Sequence, residues 1–129
     1  QPVIDASPVP LVVTGYPAHE ATLAELDENG FARRFEIYIG GLELCNAYGE
    51  LTDAKEQRKR FEAEAKERSR LGKRVYPIDE GLLSALERID QPLFGNALGI
   101  ERLMMLVSGG SSIQDMLTFS AKDLFPGER

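Results

Sequence analysis

The sequence predicts an α+β fold, an antiparallel sheet with flanking helices, and three observations carry that reading. Two β-rich runs flank Gly40-Gly41 as a hairpin, and two later runs open on helix caps at Asp53 and Asp79. The strands cluster in the hairpin and do not alternate regularly with helices, as a parallel sheet would require. A chain of 129 residues, 43% hydrophobic and 28% charged, suits one globular domain or part of one.

Each element follows from local chemistry. Residues 1–10 carry three prolines and read as an extended lead-in. Pro10 to Thr14 is a short β-branched run stopped by Gly15-Tyr16-Pro17, hence a strand. Glu20 to Leu26 is expected to form one or two helical turns, and Asn29-Gly30 marks a turn. In the hairpin, Phe31 to Ile39 pairs with Leu42 to Tyr48, so Phe35, Ile37, Ile39, Leu42 and Leu44 share an apolar face. Glu36, Tyr38, Glu43 and Cys45 share the other.

Asp53, with Glu56 three residues on, caps a charged helix from Ala54 to about Leu71, anchored by Phe61, Ala65 and Leu71 and stopped by Gly72. Asp79 caps a second helix, Glu80 to Ile89, and Pro92 ends it. Gly95 to Gly99 is a glycine-bounded strand feeding a helix from Ile100 to Val107, whose Leu103–Val107 stretch reads as core. Ser111 or Ser112 caps a last short helix with Ile113, Met116 and Leu117 inward.

Composition narrows the function classes. No apolar run approaches the roughly 18 residues of a membrane span. No basic region followed by an apolar block opens the chain, so no signal peptide is expected, and the missing initial Met fits a piece of something longer. Cys45 is the only cysteine, which rules out a disulfide within the chain and fits the cytoplasm. A net charge of -6 does not attract nucleic acid by bulk electrostatics, so a larger parent handling nucleic acid would make its main contacts elsewhere.

Few residues could carry chemistry. Glu36 and Glu43 lie diagonally on one hairpin face, about 7–8 Å apart at the backbone, within joint reach of one ion. Two such carboxylates suit Mg²⁺ when phosphate oxygens complete its shell, and equally suit a solvated sheet face. Asn46, Tyr48 and Glu50 place polar groups at alternate positions. An acid beside an aromatic could cradle an ammonium, or the three could simply end a strand. Arg102, in the first helical turn after Gly99, offers a fork of donors to phosphate, or pairs with Glu101 or Asp115. His19 reads as a surface or turn histidine, and Cys45 as a small buried hydrophobe.

Together these segments resemble a known family. Arg34-Phe35-Glu36-Ile37-Tyr38-Ile39-Gly40-Gly41-Leu42-Glu43-Leu44, followed by Asn46 and Glu50-Leu51-Thr52-Asp53, resembles the segment before motif 3 of the lysyl-type class II aminoacyl-tRNA synthetases. Gly95-Asn96-Ala97-Leu98-Gly99-Ile100-Glu101-Arg102-Leu103 resembles motif 3, and Ser112 to Phe119 the closing helix and strand. The likeness covers most of residues 11–125. It implies that the sheet is part of a class II catalytic core and that the parent activates lysine or β-lysine with ATP and Mg²⁺.

The implied roles fall residue by residue. Glu36 and Glu43 hold Mg²⁺ against the ATP phosphates. Glu43, Asn46, Tyr48 and Glu50 recognise the amino acid, with Glu50 at the ε-ammonium. Gly99 and Arg102 meet the nucleotide, Arg102 bracing the triphosphate as the catalytic arginine. An ideal hairpin puts Asn46 on the face opposite Glu43, which a bulge near Cys45 would resolve.

Ala97, where lysyl-tRNA synthetases usually have glycine, is similar to the elongation factor P lysyltransferases, as is Glu50-Leu51-Thr52-Asp53-Ala54. That subfamily transfers its lysyl group to a lysine of elongation factor P, whereas a synthetase would charge tRNA. Arg34-Phe35-Glu36 superficially fits the Arg-x-Glu of motif 2, but its context is the later segment. Motifs 1 and 2 are therefore expected outside these 129 residues, which would form one C-terminal segment of the catalytic domain. The resemblance further implies a cytoplasmic, homodimeric parent with an inactive or nearly inactive short chain. A non-catalytic synthetase-like binding module is the remaining alternative.

Overall fold

The structure, a computed structural model, describes residues 2–21 and 23–124. Its centre is a four-stranded antiparallel sheet in the order β1-β2-β3-β4, with β1 at Leu11–Val13, β2 at Arg34–Ile39, β3 at Leu42–Gly49 and β4 at Phe94–Leu98. Helices α1 (Pro2–Asp5), α2 (Ala54–Arg70), α3 (Glu80–Leu86), α4 (Ile100–Ser108) and α5 (Ala121–Leu124) flank it, with 3₁₀ turns at Ala18–Glu20 and Ile113–Met116. The chain groups into two compact units.

One unit comprises Gln1–Val13, Glu36–Asn46 and Ala97–Arg129. Within it β1 pairs with β2 antiparallel, Leu11 opposite Tyr38 and Val13 opposite Glu36. Gly40 and Gly41 both take positive φ, 56° and 78°, the requirement of a two-residue type I′ turn. That turn sets Ile39 opposite Leu42 and Glu36 opposite Cys45. Yet Asn46 Nδ2 donates to Glu36 Oε1 at 3.0 Å, so Asn46 lies on the Glu36 face. Leu44 and Cys45 are buried in succession, so strand alternation breaks there. One extra residue in β3 near Cys45, a β-bulge, accounts for both facts.

The other unit comprises Thr14–Phe35 and Ala47–Asn96. Its core is a cluster of Ala21, Ala24 and Ala32 with Tyr16 and Tyr48 packed against it. Helix α2 opens as expected, the Asp53 carboxylate accepting from Lys55 N and Glu56 N at 2.8 and 3.1 Å. Gly72 follows it with φ 64°. The Asp79 carboxylate likewise accepts from Leu82 N, and Arg58 on α2 grips Glu80 on α3 with both terminal nitrogens.

Several expectations need correction. The lead-in is not wholly extended, since Pro2 opens a four-residue helix, a position where its missing N–H costs nothing. Ala18–Glu20 forms one 3₁₀ turn, and Ala24 and Leu26 then make isolated bridges to Glu50 and Ala32, so the helical turns expected over Glu20–Leu26 do not form there. Thr22 in that stretch, like Phe125 at the end of the family likeness, lies outside the described residues.

Phe31 and Ala32 are likewise isolated bridges, so β2 starts only at Arg34. Helix α3 stops at Leu86 and β4 starts one residue early, at Phe94. Leu71 is exposed and does not anchor α2; Gln57, 2% exposed, is buried instead. Within Leu103–Val107 only Met105 is buried, because a nine-residue helix turns one side inward and leaves Met104 and Val107 outside. Ile113 and Leu117 also face out.

Candidate functional site

In the first unit the site is built around Glu36. The residue is 7% exposed, and its carboxylate accepts from Tyr38 Oη at 2.7 Å on one oxygen and from Asn46 Nδ2 at 3.0 Å on the other. Both oxygens of this buried acid thus accept from side-chain donors. Glu43 is half-buried, and its carboxylate has no hydrogen bond or ion pair among the described residues. The turn register puts Glu43 opposite Tyr38, on the face of Glu36. Two hard oxygen donors of this kind fit a magnesium ion whose other ligands come from phosphate. Among the described residues no group of three or more His, Cys, Asp or Glu could hold a metal.

The segment that resembles motif 3 meets the hairpin through its backbone. Gly99 N donates to Leu44 O at 2.9 Å, and that bond sets Ala97 opposite Asn46 in the antiparallel pair. Arg102 Nη1 donates to the carbonyl of Glu43, not to Glu101 or Asp115 as one alternative had it. The Arg102 side chain packs close over Gly99, where an added Cβ would lie 3.2 Å from Arg102 Cδ. The guanidinium keeps its remaining donors, and Arg102 is exposed.

In the second unit, Glu50 N donates to Leu93 O at 2.9 Å, which sets Tyr48 opposite Gly95. Burial alternates along 46–50, with Ala47 and Gly49 inside and Tyr48 and Glu50 half-exposed. The Glu50 carboxylate lies over Gly95, where an added Cβ would come within 2.1 Å of Oε1. It has no hydrogen bond or ion pair among the described residues. Arg34 Cζ stands 5.4 Å from the Tyr48 ring centre and 4.2 Å from that of Tyr16. The cation over Tyr48 is thus the protein's own.

Of the residues singled out by sequence, Glu36 and Asn46 touch, Arg102 reaches the Glu43 backbone, and Ala97 stands opposite Asn46. Tyr48 and Glu50 belong to the second unit. Sequence reasoning passed over Tyr38 as a ligand of Glu36, Gly95 as the space for Glu50, and Arg34 as a site residue. Strand alternation contained the signal for Arg34, which stands two residues before Glu36 on the same strand.

Comparison with known proteins decides the family. Residues 5–123 match the family of class II tRNA synthetases for D, K and N. The chain belongs to that family. It is 42% identical over 113 residues to the elongation factor P–(R)-β-lysine ligase of Photorhabdus laumondii, covering 86% of this chain and 35% of that protein. The ligase of the same name from Proteus mirabilis is 45% identical over 112 residues, 85% of this chain and 34% of its own. That from Avibacterium paragallinarum is 42% identical over 116 residues, 88% and 36%. The chain therefore spans about a third of the length of these relatives. Among the described residues of this class II chain, no helix is long and apolar enough to cross a membrane.

Proposed function

We propose that these residues form the C-terminal segment of a class II catalytic domain whose parent activates (R)-β-lysine or lysine with ATP and transfers it to a lysine of elongation factor P. The observation that carries this reading is the buried Glu36 carboxylate, held by Tyr38 and Asn46 on the face that the bulge shares with Glu43. A solvated sheet face would leave such an acid in water, whereas Glu36 is buried and hydrogen-bonded. The names of the relatives support the substrate and the acceptor.

In the reaction the amino-acid carboxylate attacks the α-phosphorus of ATP and pyrophosphate leaves. The acceptor amine then attacks the acyl carbon of the adenylate, and AMP leaves. Magnesium, when bound, offsets charge on the phosphates, with Glu36 and Glu43 its protein ligands. Arg102 braces the triphosphate from the first turn of α4, and Gly99 lets the nucleotide approach the backbone. By the family resemblance, Glu50 takes the ε-ammonium, Glu43, Asn46 and Tyr48 recognise the amino acid, and the methyl of Ala97 in place of glycine suits a preference for β-lysine. Catalysis on this reading is positioning and charge neutralisation. The reading includes a homodimeric parent in the cytoplasm, which suits the free, buried Cys45.

The test is ATP–pyrophosphate exchange by the parent and by this chain, with lysine and (R)-β-lysine side by side. The expected result is exchange by the parent, preferring β-lysine, and none by the short chain. A parent silent with both amino acids overturns the enzyme reading in favour of a binding module. A parent that prefers lysine and charges tRNA moves the acceptor from protein to nucleic acid.

A further inference from the structure

Arg34 is the first residue of β2 and does none of the work assigned so far. Gly49 N donates to Arg33 O at 2.7 Å, which brings Arg34 opposite Tyr48 across the strand pair. Arg34 is half-buried, its guanidinium carbon lies 4.2 Å from the centre of Tyr16 and 5.4 Å from that of Tyr48, and Nη1 donates to the Glu20 carbonyl at 2.9 Å. Both tyrosines also lean on the buried Ala21, Ala24 and Ala32. These three alanines present methyl groups only and give an aromatic ring nothing directional to lock onto. A planar cation stacked on two rings and tied to a carbonyl supplies that direction, which an ammonium on a flexible stem would not.

From this geometry we infer that Arg34 is a positioning residue of the amino-acid site, acting through Tyr48. The inference rests on the reading of Tyr48 and Glu50 as amino-acid ligands. Arg34 covers one face of the Tyr48 ring, so a bound amino acid meets its other face, its edge or its hydroxyl. The ammonium then finds its counter-charge in Glu50, two residues along β3, and not in the ring face that Arg34 holds.

The experiment uses the full-length parent in ATP–pyrophosphate exchange, with KM for the amino acid and for ATP measured separately. Arg34→Met should raise the amino-acid KM about tenfold, the scale of one or two lost stacking contacts, with kcat and the ATP KM within about twofold. Arg34→Lys, which keeps the charge but not the plane, should behave like Arg34→Met. In a Tyr48→Ala background Arg34→Met should add little, because the residue it positions is gone.

An unchanged amino-acid KM with a lower melting temperature overturns the proposal and makes Arg34 structural. A raised ATP KM with an unchanged amino-acid KM also overturns it and assigns Arg34 to the nucleotide. Full rescue by Arg34→Lys overturns stacking as the cause. If Arg34→Met fails to fold, Arg34→Gln keeps a donor for the Glu20 carbonyl and is read by the same criteria. Glu50→Gln, run in parallel, separates the two levels: no change in its amino-acid KM sinks the site reading itself, whatever Arg34 does.

Discussion

Glu50 and Gly95 show how much one missing methyl group can decide. The carboxylate occupies the space that a Cβ on residue 95 would fill. Gly95→Ala should therefore displace the flexible Glu50 carboxylate without unfolding the strand. On the proposed reading, the parent's amino-acid KM should rise about tenfold or more while its melting temperature hardly moves, since a charge-assisted contact is worth about 1.5–3 kcal/mol. Steady-state exchange kinetics beside a thermal melt would check this, and an unaltered KM would remove Glu50 from the site. Glu50→Gln should raise the same KM by about ten- to a hundredfold on the same grounds. The alternation of Tyr48 and Glu50 was legible from sequence. Their separation from Arg34 by a dozen or more residues hid the stack over Tyr48.

At the scale of elements, turns and caps follow local rules closely. Gly40 has open space around its missing Cβ, with only Leu106 Cδ2 at 3.9 Å, so Gly40→Ala tests backbone strain almost alone. It should cost the parent about 1–2 kcal/mol in denaturant unfolding, the penalty for a left-handed residue with a Cβ. Backbone hydrogen bonds from Glu56 and Lys55 hold the Asp53 carboxyl below its ordinary value. A depressed folded-state pKa contributes stability above the unfolded value and loses it as pH falls through the folded one. The first turn of α2 should accordingly loosen only below about pH 4, the ordinary aspartate range. The amide shifts of Lys55 and Glu56 should titrate with a midpoint below that range, and a midpoint at or above it would refute the cap. The bulge belongs to this scale as well. Sequence raised it only to reconcile Asn46 with Glu43, whereas the Asn46–Glu36 bond and the consecutive burial of Leu44 and Cys45 locate it.

On the scale of the whole molecule, apolar surface is unusually open. Phe94 is 75% and Val107 80% exposed, and Phe119 and Val3 are similarly bare. A chain that spans about a third of its relatives would leave such surface for the remainder to cover. The isolated chain should therefore self-associate beyond a dimer and bind a hydrophobic dye, whereas the parent should stop at a dimer and not bind the dye. Light scattering across a concentration series would show this, and a monodisperse, dye-silent chain would count against the segment reading.

Sequence alone determined the class of fold, the hairpin turn, both aspartate helix caps and the family, because each is written in residues adjacent or a few positions apart. It also brought Glu36, Glu43, Asn46, Glu50 and Arg102 into view as candidates. Tertiary structure decided which of them meet: Glu36 with Tyr38 and Asn46, Arg102 with the Glu43 carbonyl, and Glu50 with the gap at Gly95. It also decided that Gln57 is buried while Leu71, Val107 and Ile113 are exposed. Periodicity specifies which residues share a face of an element. What covers that face, and whether a strand carries one extra residue, depends on neighbours distant in the chain.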